Sequence, residues 1–164
     1  MRAEILRNAE MLTCPFTNHF KNFDEVEIVK NFFGARTAEV LEKLEVEFTN
    51  TVRYMRVDDI DGHLLVNPRY LNNGDLMDIY LDVIHELVHV KQFMEGKTSN
   101  KKLSYVERPM EIEAYQVAVD EARALGLDEK RILDYLESEL VNDEELKQLA
   151  QTLEVNVEET FERQ

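Results

Sequence analysis

The run from Leu76 to about Met94 constrains this chain more than any other stretch. Leu76, Ile79, Tyr80, Val83, Leu87, Val90 and Met94 recur at steps of three and four, the spacing of a helix with an apolar face. Asn72-Asn73-Gly74-Asp75 precedes it and supplies a turn and a helix cap. At its middle stands His85-Glu86-Leu87-Val88-His89, flanked by Val83, Ile84 and Val90. A fold for this chain must therefore place that helix, polar motif included, in its core.

Shorter patterns surround it. Thr37 to Leu44 suits a short helix with Thr37 near its cap. Leu44, Val46 and Phe48 alternate, as do residues from Val52 to Val57, and both stretches read as strands. Asp61-Gly62 signals a hairpin turn, and a third strand is expected from His63 to Asn67, ending at Pro68, which cannot donate to a ladder. Residues 1 to 33 are expected to hold an N-terminal helix and then an irregular stretch broken at Pro15. After a break at Gly96 to Lys102, Pro109 opens a helix that runs to about Leu125 and stops at Gly126. Asp128 and Asn142 look like caps of two further helices, near Asp128 to Leu140 and Asp143 to Leu153. The expected fold is α+β. It has a small three-stranded, mainly antiparallel sheet packed on the motif helix and on the helix opening at Pro109, with extra N- and C-terminal helices.

Charge narrows the partners. The formal net charge is -15, which argues against nucleic acid or an anionic membrane surface. From Leu127 to Gln164 there are 12 acids against 4 bases. A solubilising face is the expected role of that segment, and docking on a basic protein partner is the alternative. No apolar run approaches the ~18 residues of a membrane span. Met1-Arg2-Ala3-Glu4 does not open a signal peptide, and the lone Cys14 suits a reducing compartment, so a cytoplasmic location is expected.

The chemistry lies in the motif. Residues four apart share a helix face, so His85 and His89 can reach one metal from a single rigid element. Glu86 is placed to act on a water that the metal activates rather than to bind the metal. Zinc makes water acidic near neutrality, and Glu86 would take its proton as it attacks a carbonyl and return it to the leaving amine. A catalytic site needs a third protein ligand and leaves one place open. Glu95 is rejected, because the geometry that would use it needs a glycine where Gln92 stands. Cys14 lacks suitable surroundings, and His63 could approach the cleft without being a ligand. The better source is Pro109-Met110-Glu111-Ile112-Glu113-Ala114-Tyr115. Glu111 shares a face with Ala114, Ala118 and Ala122, whose small side chains allow close packing, and it is preferred. Glu113, on a face with Val117 and Asp120, remains the alternative, and the acid that does not ligate could orient a histidine.

His85-Glu86-Leu87-Val88-His89-Val90-Lys91-Gln92 and Glu107-Arg108-Pro109-Met110-Glu111-Ile112-Glu113-Ala114 together resemble the gluzincin metallopeptidases. The small size and the strands just before the motif are similar to the minigluzincins of the proabylysin and projannalysin type. The resemblance covers roughly Val52 to Leu125. It implies a zinc endopeptidase acting on peptide or protein substrates, with Glu111 as third ligand and the strand His63 to Asn67 at the cleft rim, its open edge accepting substrate. It also implies that the enzyme can be latent, a chain segment shielding the metal. Tyr115 stands where larger gluzincins often have an aspartate. On this reading residues 1–126 form a catalytic domain with its metal core at about 52–125, and residues 127–164 form an acidic helical extension packed on it. Tyr54, His63, Tyr105 and Tyr115 are candidates to stabilise an oxyanion, and Arg108 is expected to pair with an acid such as Glu107. The competing function is a metal-binding regulatory or interaction protein that does not cleave.

Overall fold

Leu64, Leu65 and Val66 are 1, 5 and 0% exposed, a strand apolar on both sides that only the middle of a sheet can accommodate. The computed structural model, which describes residues 3–140 and 142–157, puts it there. The fold is α+β, and the chain divides into two units, Met1–Lys97 and Thr98–Gln164.

In the first unit, β1 (Glu4–Ile5) pairs antiparallel with β3 (Phe20–Lys21). The main sheet contains β2 (Thr13–Pro15), β4 (Glu45–Phe48), β5 (Met55–Val57) and β6 (Leu64–Val66), in the order β2-β4-β6-β5. The β4–β6 pair is parallel and its two neighbours are antiparallel. The expected three strands are thus present, with a fourth added at Thr13–Pro15. The strand ending at Val66 does not offer an open edge: β6 is interior, and the edges are β2 and β5. Pro15 is compatible with an edge strand, where a missing N–H breaks no ladder.

The N-terminal helix is not formed among the described residues. Short strands and 3-10 turns take its place up to α1 (Glu27–Phe33). Phe16, Phe20 and Phe23, at most 1% exposed, explain the difference. Phe16 stacks on Phe20 at 4.7 Å, Phe23 packs edge-on against both, and Phe23 stacks on Tyr80 at 5.8 Å. These anchors bury more apolar surface against the rest of the unit than one amphipathic turn could. Arg7 donates to the carbonyls of Asn72 and Gly74, and Asn72 exchanges two hydrogen bonds with Ala9, so the N-terminal segment is fastened before the motif helix begins.

The short helix α2 (Thr37–Lys43) leads into β4. The β5–β6 turn relies on Gly62, whose φ of +78° favours glycine and whose missing Cβ leaves room for the Phe93 ring. After β6, Pro68 does more than end a strand: it is the first residue of α3 (Pro68–Asn73), capped by Asn67. Then α4 (Leu76–Met94) runs over the expected residues, with the Asp75 side chain accepting from the Asp78 N–H. Both α1 and β5 lie against it.

The second unit is helical. A 3-10 turn (Tyr105–Glu107) precedes α5 (Pro109–Ala124), α6 (Glu129–Glu139) and α7 (Asp143–Thr152). Asp128 and Asn142 cap the last two helices by accepting from Arg131 and Glu145 N–H groups. Ala114, Ala118 and Ala122 form a fully buried face of α5, and Ile132, Leu133, Tyr135, Leu136 and Leu149 fill the rest of the core. Among the described residues no helix is long and apolar enough to cross a membrane.

Candidate metal centre

Helix α4 is buried on nearly all sides from Ile79 to Val88, and its polar residues go in with it. Asp82, His85 and Glu86 are 5, 5 and 7% exposed, while His89 is half-buried. Asp82 accepts from the Tyr70 hydroxyl; Tyr70 leans on Tyr54, and the Arg53 guanidinium covers the outer ring face. One turn further on, Nε2 of His85 and Nε2 of His89 stand 3.2 Å apart. Two nitrogens bound to one tetrahedral zinc, each about 2.0–2.1 Å from it, lie about 3.3 Å apart. The pair is therefore already spaced as ligands of one ion. The rings meet nearly edge to face, at 76°, rather than stacking.

Two neighbours shape the pair. Gln92 Oε1 lies 2.7 Å from His89 Nδ1. Glu86 Oε1 lies 3.9 Å from His85 Nε2, too far for a direct hydrogen bond. Glu111 lies half-buried in the first turn of α5 in the second unit, whereas Glu113 on the same helix is exposed. Two imidazole nitrogens so spaced suit zinc, so the residues of α4 fit such an ion.

Other residues weighed from the sequence have different partners. Glu95 is held at the surface by Lys91 and Lys97, at 3.1 and 3.5 Å. Cys14 is buried in β2 with its Sγ 3.7 Å from His19 Nδ1. Burial and the charge of Glu45 push its thiol pKa up, which disfavours the thiolate a ligand or switch requires. Arg108 does not pair with Glu107: it donates to the Leu103 carbonyl and lies over the Tyr105 ring, while Glu107 accepts from Ser104. The Tyr115 and Tyr105 hydroxyls are 2.9 Å apart, and burial foremost raises the Tyr115 pKa well above the usual phenol value.

His63 belongs to a separate cluster. Asp58, Asp61 and His63 also offer ligand atoms within 4.8 Å of one another, but both ring nitrogens of His63 already meet carboxylates. Nδ1 faces Asp61, and Nε2 faces Glu47 at 3.0 Å. Burial alone would lower the pKa of this histidine; the hydrogen bonds to Asp61 and Glu47 outweigh it and raise the value. A groove of about 420 Å³ opens here, lined by Glu45, Glu47, Asp61 and His63 among others.

Spacing alone pointed to His85, Glu86 and His89. It missed Gln92 as a partner of His89, although the two are three residues apart on one helix and so share a face. No family model matches the chain, and no curated protein and no solved structure matches it.

Proposed function

We propose that the chain is a zinc-dependent metallopeptidase of the gluzincin kind, with His85, His89 and Glu111 as ligands and Glu86 as general base. The 3.2 Å separation of the two Nε2 atoms carries this reading: the buried His85 ring and the half-buried His89 ring are spaced as two ligands of one ion would be. Bound zinc would supply Lewis acidity, polarising the scissile carbonyl and acidifying the attacking water. Glu86, buried beside the ligand nitrogens, accepts the proton of that water and passes it to the leaving amine. Burial serves Glu86 in this role, because an acid shielded from bulk water transfers its proton within the site. An extended peptide would lie along β5, the sheet edge beside α4, and pair with it through main-chain hydrogen bonds.

The test combines metal analysis with peptidase assays on an unbiased peptide mixture. Wild-type protein should bind one zinc and cleave. Glu86→Gln should keep the metal and lose at least about 10²-fold in rate. Fully zinc-loaded wild type that cleaves no peptide would replace the enzyme with a metal-binding regulatory protein.

A further inference from the structure

Gln92 is 0% exposed, three residues beyond His89 on α4, with its Oε1 2.7 Å from the histidine Nδ1. An amide oxygen can only accept, so the ring nitrogen that faces it is the one bearing hydrogen. His89 then has its proton on Nδ1 and its lone pair on Nε2, the atom 3.2 Å from His85. We propose that Gln92 is a positioning residue that presets His89 as a metal ligand before any ion arrives, fixing both the ring orientation and the tautomer. This rests on the metallopeptidase reading and deepens it.

Two consequences follow from the chemistry of an amide. First, a metal-ligating imidazole commonly donates its other N–H to a carboxylate; here a neutral amide oxygen accepts it instead, and orients the ring without adding negative charge to the site. Second, if Nε2 of His89 is an acceptor, the 3.2 Å contact is a hydrogen bond only when Nε2 of His85 is the donor. The two ligands therefore differ in the metal-free protein. His89 is ready, whereas His85 carries its proton on the nitrogen that must bind. Its proton has to exchange from Nε2 to Nδ1 before that nitrogen can ligate.

Long-range ¹⁵N–¹H correlation spectra of the metal-free full-length protein read the tautomers directly. The expected result is Nδ1–H for His89 and Nε2–H for His85. Zinc affinity is then measured by chelator competition on Gln92→Leu, which fills the space without an acceptor, and on Gln92→Glu, which keeps one. Gln92→Leu should bind zinc about 10–100-fold more weakly and show His89 in mixed tautomers; Gln92→Glu should restore both. A His89 proton on Nε2 in the wild type overturns the proposal, as does a folded Gln92→Leu with unchanged zinc affinity and tautomer. If the wild type binds no zinc, the metallopeptidase reading and this one fail together; if it binds zinc with the His89 proton on Nε2, this one fails alone. If Gln92→Leu does not fold, the wild-type spectrum and Gln92→Glu decide it.

Discussion

His63 shows how one side chain can report on the pH of the whole unit. Its ring bridges Glu47 on β4 and Asp61 in the β5–β6 turn, so the protonated ring is attracted from both sides. Because its folded pKa lies above the ordinary 6.5, the stabilisation is fully present below that value and is lost as pH rises through the folded pKa. Asp61, whose pKa is lowered chiefly by its hydrogen bond to His63, remains ionised through mildly acidic conditions. His63→Gln should therefore melt below the wild type in mildly acidic buffer, and the gap should close in alkaline buffer; thermal scans across pH check this. A gap that widens with pH would mean that the neutral ring is the stabilising form.

At the level of elements, the reach of a signal decided what could be read. The starts of α4, α5, α6 and α7 were legible because Asp75, Pro109, Asp128 and Asn142 act on their own next turn. Replacing Asp75 with Ala should cost about 1 kcal/mol, read as a shift in the denaturation midpoint. The N-terminal stretch is hidden for the opposite reason: its anchors, Phe16, Phe20 and Phe23, take partners that include Tyr80, far along the chain. Phe20→Ala should cost about 3–5 kcal/mol, a large loss for a residue outside any helix, measured by chemical denaturation. The metal site divides in the same manner. His85, Glu86 and His89 follow from spacing on one helix, and the small residues on the face of Glu111 favour it over Glu113, whereas the contact of Gln92 depends on where its amide points once folded. The neighbours of β6 were equally hidden: its apolar run calls for an interior place but does not say which strands flank it.

For the molecule as a whole, an ion that binds only the folded chain adds to its stability. Zinc in hundredfold excess over its dissociation constant would contribute about 2.7 kcal/mol. The thermal midpoint should rise on zinc addition in the wild type and stay fixed in His89→Ala. The strand order carries a further consequence, for synthesis. β4 must wait for β6, which leaves the ribosome only after β5. Until Val66 has emerged, β4 can pair on one side with β2 while its other side shows bare N–H and C=O groups, a template for a neighbouring nascent chain. Translation through residues 49 to 66 is thus the interval in which this protein is most exposed to mispairing, and chains halted there should be the ones that chaperones hold or that precipitate.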